Sequence, residues 1–168
     1  PTMTHPRLVV VADRSAEVTI VESHIALGDA PYLTNAVSEM VCGDNASITH
    51  WKVQPDSTRA FHIAMQHATL AANARFSTMS ITMGGALVRN DVHTILDGPG
   101  IDARVDGLYL AGGRQHVDNH TFIRHAQPHC HSFELYKGIL DGHARGVFNG
   151  RIYVDPAAQK TDAKQENN

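Results

Sequence analysis

The sequence predicts an all-β fold, a parallel β-helix or β-solenoid, and three observations predict it. Strand-like segments rich in Val, Ile, Phe, Tyr and Thr follow one another along most of the chain. Turn pairs such as GD, DN, GG, DG and DP separate them. A small residue also recurs just after a polar turn, at Ala16, Ala46, Ala74, Ala103, Cys130 and Ala144, with gaps of 30, 28, 29, 27 and 14 residues. A period near 28 that ends on a half-period suits coils that each return the chain to the same place. Such a coil cannot bury its apolar side alone, so stacked coils must share one elongated core.

Nine segments read as strands, in order RLVVVA, VTIVESHI, YLTNAVSEMV, SITHWKV, AFHIAMQHATLA, RFSTMSITM, RVDGLYLA, HSFELYKGIL and GVFNGRIYV. AMQHATLAANARF, from Ala64 to Phe76, has enough alanine for a short helix, but continuation of the strand pattern is the better fit. In HSFELYKGIL, Phe133, Leu135 and Ile139 are expected in the core, while Glu134, Tyr136 and Lys137 are expected to face a partner. The recurring small residues are expected at the tight inner corner of each turn, Cys130 acting there as a small hydrophobe. Glycines in MGGALVRN, LDGPG and AGGRQ are expected to meet backbone demands, since no phosphate-loop context surrounds them.

Composition narrows the function. The chain has 14 Lys plus Arg against 17 Asp plus Glu, a net charge of -3, and no basic run able to neutralise several phosphates, so a nucleic-acid partner is not expected. The only cysteines, Cys42 and Cys130, form no CxxC and suit a reducing cytoplasm. The longest apolar runs, such as LVVVA, are far too short for a membrane span, and no secretory leader is recognisable. A cytoplasmic protein is expected. The start at PTM and the polar end TDAKQENN suggest a piece of something longer.

The densest cluster of chemistry is HVDNHTFIRHAQPHCH, with five histidines, an aspartate and a cysteine. On strands, His129 and His131 would share one face with Cys130 on the other, and His116, Asp118 and His120 would share a face one segment earlier. If the two segments stacked in adjacent coils, His116, Asp118, His120, His129 and His131 would offer ligands suited to zinc or ferrous iron. Two alternatives stand beside this: the histidines satisfy turns and a polar face, or a second chain completes the site with His125 or His129 at the interface. The HxH pair with Glu134 is also similar to the metal motif of cupins, though the glutamate comes one or two residues too early. For catalysis, Cys130 flanked by two histidines and a Glu134–Asp118 carboxylate pair are the candidates. With few aromatics to bind a sugar, a non-enzyme is expected.

Several segments together carry a resemblance. ALGDAPYLTNAV, GGALVRND, DGLYLAGGRQHVDNHTFIRHAQPHCHSFELYKGIL and DGHARGVFNGRIYVDPAAQKTDAKQ resemble the core of the SufB/SufD family, the scaffold subunits of the SUF iron–sulfur cluster assembly machine, and look closer to SufD. The resemblance implies a right-handed parallel β-helix spanning residues 1–168 as one core domain, with residues 160–168 a polar tail or the start of a further rung. It implies a non-catalytic scaffold paired with a SufB-like β-helix subunit and a SufC-like ATPase whose ATP-driven movement reshapes the interface. No cofactor of its own is implied, iron or an iron–sulfur cluster being held only in the assembled complex. The family continues past KTDAKQENN with rungs that carry an interface cysteine in SufB and histidine in SufD, and then helices that grip SufC. None of the histidines here inherits that role. A β-helix cut at this point would expose an edge, so a homodimer through an end or edge is expected, with Cys130, His125, Glu134, Tyr136 and Lys137 as interface candidates. The competing reading is a stand-alone metal-binding β protein, a cupin-like iron oxygenase using His129 and His131.

Overall fold

Short strands separated by tight turns can satisfy their backbones as hairpins or as stacked coils. The protein, described over residues 2–168 by a computed structural model, takes the second course: every strand pairing is parallel. Thirteen strands are present among the described residues: β1 (Thr2–Thr4), β2 (Arg7–Ala12), β3 (Glu17–Ser23), β4 (Tyr32–Cys42), β5 (Ser47–Gln54), β6 (Phe61–Leu70), β7 (Arg75–Thr82), β8 (Leu87–Leu96), β9 (Asp102–Ala111), β10 (His116–His125), β11 (His131–Leu140), β12 (Arg145–Val154) and β13 (Asp162–Asn167).

They form two sheets. One runs β1-β4-β6-β8-β10-β12 with β2 also on β4, and the other runs β13-β11-β9-β7-β5-β3. Each coil therefore lays one strand in the first sheet, turns, and lays the next in the second. Register pairs Ser47 with Arg75 and Arg75 with Asp102, so the coil takes 28 and then 27 residues. The all-β parallel solenoid expected from the repeat is the fold observed.

The corner that precedes the second sheet explains the period. Ser15, Asn45, Asn73, His129 and Lys160 adopt left-handed backbone there, and Gly100 does the same at φ 72°. Asn and Gly tolerate this region best, and the residue after each leads directly into the next strand. Ala16, Ala46, Ala74 and Cys130 stand directly after these residues, as the spacing predicts. Ala103 does not: Ile101 follows Gly100, and Ala103 lies within β9 opposite Phe76. Ala144 belongs to the opposite corner, before β12, which accounts for the half-period.

β1, β8, β10 and β13 were not among the nine expected strands. In β8 and β10 the inward positions include Asn90, Thr94, Asn119, Thr121 and His125, all buried, so both faces read as polar. The segment weighed as a helix is β6, a turn and the start of β7, with Ala64 and Ala68 pointing inward. The main apolar core joins Met40, Ile48, Leu70, Phe76, Leu96, Ile101, Val105, Ile123 and Tyr136, and a smaller cluster joins Val88, Tyr109, Ala111 and Val117. Interior rings need room, and glycines provide it. A Cβ on Gly107 would collide with the Tyr136 ring, and one on Gly138 would collide with Tyr109.

The faces of β11 are inverted relative to expectation. Glu134 and Tyr136 are fully buried, whereas Phe133 and Leu135 are only partly buried on the outer side and Ile139 is exposed. The cause is the polar character of the interior itself.

Candidate functional site

A seam of polar side chains runs between the two sheets. In β5, His50, Lys52 and Gln54 point inward at alternate positions while Trp51 faces out. Glu22 from β3 accepts from His24 at 2.7 Å and His50 at 3.1 Å, and Ser38 of β4 donates to it at 3.1 Å. His50 continues to Thr78 at 3.1 Å, which exchanges hydrogen bonds with Gln66 across the core. Lys52 donates to Asn90 at 2.8 Å, and Asn90 donates to Asn119 one coil on at 3.0 Å. A second node centres on Asp56, which receives Tyr32 at 2.6 Å, Gln54 at 2.9 Å and His62 at 3.0 Å.

Burial and pairing set the charge states. Burial would raise Glu22, but hydrogen bonds from His24 and His50 outweigh it and hold the carboxyl well below its usual range. Asp56 is lowered likewise, its bonds from His62, Tyr32 and Gln54 overcoming burial. Burial lowers Lys52 to about 8 and His62 to about 4, against the pull of neighbouring carboxylates. The nodes are largely satisfied from within, so they fix the register of adjacent coils and leave little free to react. The exceptions among the described residues include Oε1 of Gln54, Nδ2 of Asn119, Nε2 of His62, whose ring packs edge-on to His24 at 4.7 Å, and both oxygens of Glu134. His24, Tyr32 and Asp56 also line an open recess beside β1.

The residues singled out from sequence are not brought together. His116, Asp118 and His120 lie on the outer face of β10 in the first sheet. His131 faces out from β11 in the second, and His129 is a turn residue at φ 62°. The two segments are the halves of one coil rather than stacked neighbours, so the expected ligand set is split between opposite faces. Asp118 is instead engaged by His120 at 2.9 Å and by Arg89. Among the described residues no three His, Cys, Asp or Glu side chains are grouped to hold a metal ion. The cupin-like arrangement fails on topology too, because cupins are antiparallel double-sheet barrels and Glu134 points inward while His131 points outward. The same opposition separates Glu134 from Asp118.

Four of the five interface candidates are interior. His125 bonds Ser132 at 2.9 Å, and Cys130 donates to the Gly98 carbonyl at 3.2 Å. Burial pushes the Cys130 thiol up, away from the reactive thiolate. Glu134 and Tyr136 are enclosed, which leaves Lys137 exposed. The seam around Glu22, His50, Lys52, Asp56 and His62 was not found from sequence. Its one signal was the polar alternation of His50, Lys52 and Gln54, which has the same period as a solvent-facing side.

The whole described coil stack coincides with a known domain. The family model for the SUF system FeS cluster assembly SufBD core domain matches residues 1–168. The chain belongs to the SufB/SufD family. Among curated SufB/SufD relatives, it is similar to the iron-sulfur cluster assembly SufBD family protein slr0076 of Synechocystis sp., 35% identical over 175 residues, covering 99% of this chain and 39% of that protein. It is also similar to the iron-sulfur cluster assembly protein SufD of Escherichia coli, 32% identical over 153 residues, covering 91% of this chain and 36% of that protein. SufD of Bacillus subtilis is 28% identical over 166 residues, with 95% and 37% covered. The chain thus spans under two fifths of the length of these SufB/SufD relatives. Within the SufBD core the parallel solenoid supplies long sheet faces and turns a set of its polar groups inward.

Proposed function

We propose that this chain is a non-catalytic, SufD-like scaffold component of SUF-type iron–sulfur cluster assembly. The observation that carries the reading is the match of residues 1–168 to the SufBD core, with SufD of Escherichia coli among the relatives above 30% identity. A solenoid whose seam pairs Glu22 with His50 and Asp56 with His62 in its interior is suited to positioning other chains. Its partners in the intact assembly are a SufB-like β-helix subunit and a SufC-like ATPase. Iron or a nascent cluster is cargo of that assembly and not a resident group of this core. The two buried, unpaired cysteines suit work in a reducing cytoplasm.

The test is anaerobic affinity purification of the tagged full-length protein from its native cells, with co-purifying chains identified by mass spectrometry. Recovery of SufB-like and SufC-like subunits is expected. Purification as a lone chain or homodimer carrying stoichiometric iron would overturn the scaffold reading.

A further inference from the structure

The turns that lead into β10 and β12 stack at one edge of the solenoid. Gly113 and Gly142 hold them in matching left-handed conformations, at φ 60° and 67°. Bonds from His143 N to Gly113 O at 2.7 Å and from Arg145 N to Gln115 O at 2.9 Å lock one turn on the other. The Gln115 side chain pins the frame further, accepting from Gly112 N at 2.8 Å and donating to Gly85 O at 2.9 Å. Register then sets His116 beside Arg145. Arg114, His116, His143 and Arg145 consequently line one open recess of about 560 Å³, together with Gln115.

No carboxylate lines that recess. Arg14, Arg89, Arg104 and Arg124 each pair with an aspartate, but neither Arg114 nor Arg145 has an acidic partner within ion-pair distance among the described residues. The nearest acids along the chain are otherwise engaged: Asp118 by Arg89 and His120, and Asp141 by the Gly142 amide at 2.8 Å. Two guanidiniums without an acidic partner thus stand on one rigid frame beside two imidazoles. No carboxylate of the described coils neutralises this pair, and an oxyanion would.

We propose that this corner binds a phosphoryl group, either as free phosphate or as the phosphate of a small soluble ester. A guanidinium fork matches two phosphate oxygens in a bidentate geometry, and imidazole N–H groups reach a third. The inference stands apart from the scaffold reading, because it rests only on this edge.

The test uses full-length protein labelled with carbon-13 histidine, the His116 and His143 ring signals being assigned with His116→Gln and His143→Gln. Inorganic phosphate is titrated at neutral pH, with ionic strength held constant by chloride, and glycerol phosphate is titrated in parallel. Both signals should move saturably. The double variant Arg114→Gln, Arg145→Gln should weaken binding about tenfold or more, as expected for loss of two charge-assisted contacts. Arg124→Gln, at a paired arginine elsewhere, should leave it unchanged. The double variant Arg114→Lys, Arg145→Lys, which keeps charge but loses the fork, should fall between, and thermal melts should show all variants folded. Tighter binding of the ester assigns the second source, and tighter binding of phosphate the first. A shift that never saturates, equal weakening by Arg124→Gln, or saturable binding of a polyglutamate peptide but not of phosphate would overturn the proposal.

Discussion

Glu134 is a fully buried carboxyl with no well-formed hydrogen bond to either oxygen among the described residues, although the Thr121 hydroxyl pulls it toward the ionised form. Burial raises it to about 7. In the unfolded chain a glutamate ionises near pH ~4.3, so between that pH and about 7 the folded state holds a proton that the unfolded state has released. Stability contributed by this group is therefore full at low pH and falls as pH rises towards 7. Glu134→Gln keeps the shape and removes the titration. The variant should gain on the native protein by about 2–3 kcal/mol in moving from pH ~5 to ~8. Urea unfolding of both proteins at the two pH values checks this, and an unchanged gap between them would mean that water or a partner already solvates the carboxylate. Lys52 is also buried, but Asn90 and the fields of Glu22 and Asp56 offset part of that cost, burial still lowering it to about 8.

At the scale of the element, the turns and the strands were legible to different degrees. The corner column was visible in Ala16, Ala46, Ala74 and Cys130 because a left-handed residue followed by a tight inward step restricts composition wherever it recurs. His129 belongs to that column, at φ 62°. Its imidazole is exposed, so the backbone and not the ring accounts for its place. His129→Gly should then stabilise the protein by up to about 1 kcal/mol and His129→Val should destabilise it by about 1–2 kcal/mol, read from denaturant midpoints. A loss of stability in the glycine variant would show instead that the ring makes contacts worth more than the strain. The strand faces were harder to read. Periodicity assigns apolar residues inward, and this interior places His50, Lys52, Asn90, Asn119 and Glu134 there. That choice hid β8 and β10, inverted β11 and concealed the seam. It also made the histidine run from His116 to His131 look like one site, when a coil divides it between two sheets.

At the scale of the whole molecule, a solenoid has only nearest-neighbour couplings, so a lesion should stay local. Gly107 offers the sharpest probe, because its missing side chain is the space occupied by the Tyr136 ring of the next coil. β9 pairs with β7 on one side and β11 on the other, and neither touches β3 directly in the second sheet. Gly107→Ala forces the ring aside in a close-packed interior and should cost about 1–3 kcal/mol. Hydrogen exchange should show that cost as lost protection in β9 and β11, with a smaller effect in β7 and none in β3, β4 or β5. Uniform loss across all coils would mean that the stack unfolds as one cooperative unit, with the hydrogen-bonded chain from Lys52 through Asn90 to Asn119 transmitting the strain between coils. In that case weakening the seam with Asn90→Ala in the same background should restore locality, separating coupling through side chains from coupling through the backbone ladder.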